Sequence, residues 1–287
     1  MRLQRTINRK KNKVRLVVVV LCLAVFGYSA YRVGINYYRA QQSQKAAEEE
    51  ARKVQEQLED ARRRAEEEAR KAEEERKAQE AANQQSGDEN TEPEPEPEPF
   101  VLNFDELSAI NSDIMGWISV DGTNINYPLL YSYTDRNFYL YHNYRAEYDS
   151  QGSIYIENFN KRDLSDFNTV VYGHSMLNGN MFGTLHNFSN WDFFYSHGNI
   201  TLYTPTNTYT YEVFETATID DTHIFTYLDN GSKDSINKYI ETLAGYNSGL
   251  KKDGYTITPE DHILTLSTCT TDDTKRLVVF AVLTNVT

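Results

Sequence analysis

Between Leu16 and Tyr31 the chain carries sixteen residues without a charge, and that run dictates how everything after it is arranged. A helix needs about 20 apolar residues to cross a bilayer. Val14 and Val33-Gly34-Ile35 extend the run if Arg15 and Arg32 snorkel to the interface, which sets the anchor at 16–35. Residues 1–15 hold seven Lys or Arg and no acid, so this tail belongs on the cytoplasmic side and the remainder outside the cell. A cleaved signal peptide is the alternative, with Gly27-Tyr28-Ser29 as a small-x-small site. Tyrosines gathered at the outer end of the run favour an uncleaved, single-pass anchor.

Residues 36–86 are rich in Ala, Glu, Lys, Arg and Gln and contain no proline. That is a long helix by propensity, laced with opposite charges at helical spacing. Ala47, Ala51, Val54, Leu58, Ala61 and Ala65 recur in a four-three alternation. So small a seam supports at most a weak coiled coil, and a solvated single helix is the other reading. Either is a spacer: roughly 50 residues at about 1.5 Å each reach about 75 Å. Residues 87–99 end it, and Pro93 to Pro99 alternate Pro and Glu, an extended, semi-rigid linker.

The segment 100–287 holds nearly all the aromatic residues, enough for one sizeable core. It carries 10 Lys and Arg against 23 Asp and Glu, while residues 1–99 balance, so the whole net charge of -13 sits here. An acidic domain argues against nucleic acid as a partner. A short helix is expected at 104–110 and another at 232–243, where Ser232 caps and Ile236, Tyr239, Ile240 and Leu243 form a stripe. A helical turn is expected over 181–188. Eight strand candidates cover 117–120, 124–130, 153–157, 169–174, 199–204, 208–219, 262–268 and 276–284. The domain is therefore mostly β, a closed barrel or a sandwich.

Cys269 is the one cysteine outside the apolar run, so it has no partner for a disulfide within this domain. It ends the strand-like run His262 to Thr268, with Arg276 just downstream. A cysteine nucleophile needs a thiolate, and a thiolate needs a basic or cationic neighbour. Of six histidines, His174 qualifies: it closes the apolar run Val170-Val171-Tyr172 after a glycine. His142, His186, His197, His223 and His262 are read as structural or surface groups. Arg276 opens the last strand. If the last two strands are neighbours, its fork faces the thiol and can stabilise a tetrahedral oxyanion, a task for which flexible Lys275 is less suited. No metal-ligand spacing or phosphate loop is evident, so no cofactor or metal is expected.

These residues resemble the sortases, membrane-anchored cysteine transpeptidases of Gram-positive surfaces, and most closely class B. The resemblance covers 104–286. Thr265-Leu266-Ser267-Thr268-Cys269 is similar to the family's Thr-Leu-x-Thr-Cys signature, Arg276 to the family arginine, and Tyr172-Gly173-His174-Ser175-Met176 to its histidine segment. Met181-Phe182-Gly183, Gly116-Trp117-Ile118, Thr123 to Pro128 and Gly152-Ser153-Ile154-Tyr155 are similar to class B landmarks, as is the helix between strands six and seven. The loop 270–275 is shorter than the class B pattern, which leaves Asp272 and Asp273 without an assigned role. The charged helix and the Pro-Glu linker are not family hallmarks. The lack of a C-terminal anchor or inhibitory lid argues against a pilus-polymerising class C enzyme.

The resemblance implies a closed eight-stranded β-barrel with short helices and a catalytic set of Cys269, His174 and Arg276, with Ser267 and Thr268 beside them as substrate-binding residues. Cys269 would attack the threonine carbonyl of a C-terminal sorting motif on a secreted protein, and a cell-wall or pilin amine would resolve the thioester. The alternatives are a thiol peptidase or hydrolase using the same site, and a non-enzymatic stalked surface domain. Implied partners are secreted proteins with a sorting signal, a peptidoglycan precursor amine and the membrane, with weak self-association through the helical stalk.

Overall fold

The computed structural model describes residues 2–83, 102–272 and 274–287; the Pro-Glu linker 87–99 and Asp273 lie outside them. Helix α1 runs unbroken through Arg2–Asn83. This continuity follows from sequence, since no proline and only two glycines interrupt it. Its apolar portion is long enough to cross a membrane, and none of that stretch is buried by the protein.

From Ala47 onward the chain forms one compact unit. Within it, part of the expected coiled-coil seam is already occupied: Ala47 and Val54 are buried, and Ala51, Leu58 and Ala61 are half-buried. Glu50 lies 3.9 Å from Arg145, and Gln57 Oε1 accepts from the backbone N–H of Asn103 at 3.4 Å. This end of the helix packs on the folded domain of its own chain, so it is more than the spacer its charge pattern suggests.

The domain is a closed barrel. Its strands are β1 Ile114–Val120, β2 Asn126–Ser132, β3 Ile154–Glu157, β4 Asn168–Tyr172, β5 Asn199–Tyr203, β6 Thr208–Asp220, β7 Ile263–Cys269 and β8 Lys275–Val286. They close in the order β1-β2-β3-β4-β7-β8-β6-β5. All pairs are antiparallel except β2–β3 and β4–β7. A parallel pair cannot be joined by a tight hairpin, so consecutive β2 and β3 are linked by a long excursion, and the chain passes through β5 and β6 between β4 and β7. Closure settles the choice between barrel and sandwich, because β5 pairs with β1.

Helix α2, Phe104–Ile110, buries Phe104 and Leu107. Helix α3, Trp191–Ser196, has no counterpart in the sequence reading; Asn190 caps it by accepting from Phe193 N–H. Helix α4, Lys233–Gly245, starts as expected, with Ser232 Oγ accepting from Ser235 N–H. Its apolar stripe, Ile236, Tyr239 and Leu243, joins Phe214, Phe280 and Val170 in one buried cluster. This packs α4 against the outside of the β4–β7–β8–β6 wall.

Candidate active site

The cysteine, the histidine and the arginine meet at one end of this wall. Cys269 is the last residue of β7, and across the β7–β8 ladder its partner is Arg276. On the other side of β7, parallel pairing sets Tyr172 beside Ser267. The pairing ends there, leaving His174 two residues beyond Tyr172 and Cys269 two residues beyond Ser267. His174 is therefore two residues past its strand, not in it as the apolar pattern suggested. The turn away from the sheet frees its ring from the strict alternation of a strand.

Four hydrogen bonds fix that departure. Gly173 N–H donates to Ser267 O at 3.3 Å, and Phe182 N–H donates to His174 O at 2.9 Å. Thr268 Oγ1 donates to Gly173 O at 2.8 Å. The His174 ring uses Nε2 at 2.8 Å from Leu140 O. A carbonyl can only accept, so Nε2 carries the proton, and Nδ1 is the nitrogen left to exchange one. Gly173 is required here: a Cβ would stand 2.5 Å from Ile154 Cδ1 and 2.9 Å from Phe182 Cδ2. The segment 175–181 bridges back on itself at Ser175 and Met181, and Met181 takes a left-handed backbone conformation, φ 51°.

Leu140 belongs to the β2–β3 excursion, which no sequence signal tied to the site. That excursion is braced from the turn between α2 and β1. Tyr139 OH donates to Asp113 Oδ2 at 2.7 Å and accepts from Asn111 Nδ2 at 2.9 Å. Burial, with the Asp113 hydrogen bond second, pushes the Tyr139 phenol well above its usual range, so it stays a neutral donor. Gly152, with φ +61°, lets the chain pass where a Cβ would lie 2.5 Å from Leu140 O.

Arg276 is half-buried and already oriented. Its Nη2 is 2.8 Å from Asp221 Oδ2, and Nη1 donates to Lys275 O at 3.0 Å. Asp221 follows β6 and was not anticipated; only the β6–β8 register, with Asp220 opposite Lys275, brings it there. The short β7–β8 loop finds its explanation in Asp272. The Asp272 carboxylate accepts from Thr274 N–H at 2.9 Å and from Thr274 Oγ1 at 2.6 Å, contacts that hold its carboxyl below the usual range. Asp221 N–H then donates to Thr274 O at 2.9 Å, tying this loop to the residue that orients the arginine.

Ser267 and Thr268 are both buried. The Thr268 hydroxyl clamps β7 to the histidine segment by donating to Gly173 O. Behind β4, Glu157 is buried and lies 2.5 Å from His223 Nε2, with Tyr172 OH 3.4 Å from the same nitrogen. Burial, with the Glu157 charge second, raises the Tyr172 phenol far above its usual range. Among the described residues, no group of His, Cys, Asp or Glu is arranged to hold a metal ion.

The sortase domain pattern matches residues 118–284, a span that includes Cys269, Arg276 and His174. The chain belongs to the sortase family. Sortase B of Listeria monocytogenes is 32% identical over 172 residues, covering 58% of this chain and 67% of that protein. Sortase B of Staphylococcus aureus is 31% identical over 183 residues, covering 62% and 73%. The crystal structure of Clostridium perfringens sortase B superposes with a TM-score of 0.59 at 33% identity, over 64% of this chain and all of that one. These similarities put the chain in class B, as a sortase and a cysteine transpeptidase.

Proposed function

We propose that this sortase cleaves a C-terminal sorting motif after threonine on secreted proteins and transfers the acyl fragment to a cell-wall amine. The observation that carries this reading is the pairing of Cys269 with Arg276 across β7–β8, next to a His174 whose Nε2–H is committed to Leu140 O. The thiolate of Cys269 attacks the threonine carbonyl carbon, forming a C–S bond and a tetrahedral oxyanion. Arg276, held by Asp221, faces that negative charge. As the C–N bond breaks, His174 gives the proton on Nδ1 to the leaving amine, and a thioester remains. The acceptor amine then attacks; His174 Nδ1 takes its proton, a new amide forms, and the C–S bond breaks to restore the thiolate.

In this reading the anchor 16–35 crosses the membrane with residues 1–15 in the cytoplasm. Helix 36–86 and linker 87–99 carry the catalytic domain 100–287 on the extracellular face, beside the lipid-linked peptidoglycan precursor whose amine is the acceptor. The test is transfer of a sorting-motif peptide to an amine, analysed by mass spectrometry. Wild-type protein should form the amide product through a Cys269-linked thioester, and Cys269→Ala should form neither. Product from Cys269→Ala would overturn the nucleophile assignment, and hydrolysis unaffected by added amine would overturn the transferase assignment.

A further inference from the structure

A second histidine reaches the nucleophile, and the proton transfers above do not use it. His186 lies on the 3-10 turn Gly183–Ser189 and is half-buried. Its Nε2 is 3.1 Å from Cys269 O and 3.0 Å from Ser175 Oγ. The Cys269 carbonyl can only accept, so this nitrogen carries the proton. Ser175 Oγ then accepts from the same N–H in a three-centre bond. One donor therefore ties the backbone of the nucleophile to the residue directly after His174.

We propose that His186 is a positioning residue for the transfer reaction, setting the Cys269 backbone against the segment that carries the general acid–base. The inference rests on Cys269 and His174 being the reacting pair. The need for such a tie follows from the position of Cys269. It is the last residue of β7, and the next ladder contact, Thr270 N–H to Lys275 O, is long at 3.4 Å. Beyond it Thr271 and Asp272 are exposed. A strand end held on one side only would let the sulfur wander relative to the imidazole, and small misplacements of reacting groups cost rate steeply. The turn carrying His186 is itself anchored next to the site. Gly183 N–H donates to Asn180 O at 2.8 Å and Leu185 N–H to Phe182 O at 3.0 Å. Phe188 and Leu185 are fully buried, so the ring is delivered from a rigid base. Neutral imidazole and imidazolium both keep Nε2–H, so the tie does not depend on charge.

The test compares His186→Leu, which deletes the donor, with His186→Gln, whose side-chain amide keeps N–H donors at similar reach. We expect kcat for peptide transfer to fall about tenfold in His186→Leu, with KM within twofold, the scale of one lost hydrogen bond. His186→Gln should recover most of kcat with the wild-type pH profile. Alkylation of Cys269 by iodoacetamide, which needs the thiolate but not its alignment, should proceed at one rate in all three. If His186→Leu fails to fold, as judged by melting temperature, His186→Met carries the same comparison. Wild-type kcat in the donorless variant, or a glutamine variant as slow as the leucine one, would overturn the inference. Cys269→Ala run in parallel keeps the two ideas separable: residual product there refutes the nucleophile, whereas its inactivity beside a fully active His186→Leu refutes only the positioning role.

Discussion

Replacing Thr268 by valine separates two roles for the residue before the nucleophile. Valine keeps the size and branching of threonine, so no cavity opens at a side chain only 2% exposed. What is lost is the 2.8 Å hydrogen bond from Oγ1 to Gly173 O. That carbonyl is left without its donor next to an apolar methyl, at a cost of about 1–3 kcal/mol. For a domain of this size, that translates to a melting temperature lower by about 2–12 °C. The kinetic effect is more diagnostic. Gly173 precedes His174, and the lost tie lets the imidazole shift relative to Cys269, so kcat should fall between about tenfold and a hundredfold. KM should change less than twofold, because the hydroxyl is buried. Steady-state transfer of a fluorogenic sorting peptide to an amine acceptor, with Thr268→Ser as the control that restores the hydroxyl, gives both constants. A raised KM with unchanged kcat would mean that Thr268 touches substrate, as the sequence resemblance implies, and the clamp argument would be refuted.

Three further outcomes follow from other contacts. Glu215 is buried beside Lys251, 3.2 Å away, and desolvation, opposed by Lys251, raises its carboxyl above the usual 4.5. The folded state thus holds that proton more tightly than the unfolded chain. This contribution to stability is whole below about pH 4.5 and is lost as pH rises through the folded value, so melting curves should show a decline from this group that Glu215→Gln removes; an identical slope in the variant would contradict this. A chain beginning at Phe100 loses the packing of Ala47 and Val54, about 2–3 kcal/mol of apolar burial. Its melting temperature should drop by about 4–12 °C while kcat/KM stays within about threefold, since neither residue touches the site; calorimetry and the transfer assay decide. Arg276→Lys keeps the charge but not the fork that meets Asp221, and kcat should fall about a hundredfold; transfer at the wild-type rate would remove Arg276 from oxyanion stabilisation.

The barrel was legible because its strands are short, half-buried and punctuated by turns: all eight expected strands form, with ends displaced by a few residues. Cys269 and Arg276 were legible because each flanks one short loop, so local sequence alone made them neighbours. His174 was legible from its segment, yet its true position, past the end of β4, depends on Gly173 and on the folded-back loop 175–181. Leu140, Asp221 and His186 were not legible. The first acts through a backbone carbonyl, which leaves no trace in residue type. Asp221 faces Arg276 only through the register of β6 on β8, two strands distant in sequence. His186 looked like any histidine on a helical turn, and its role exists only because that turn folds over the end of β7.

Each reactive group is thus held by contacts from a different excursion of the barrel. Leu140, between β2 and β3, fixes which nitrogen of His174 carries the proton. The turn after β4 places His186 on the Cys269 carbonyl. The residue after β6 points the Arg276 fork. The first exists because consecutive β2 and β3 are parallel and cannot be closed by a hairpin; the second exists because β4 and β5 are not neighbours in the barrel. The same topology that denies these strands hairpin connections supplies long ones that return to the site. A transfer reaction that must hold a thioester until an amine arrives depends on geometry set by several independent supports, so weakening any one of them should lower kcat before it unfolds the domain.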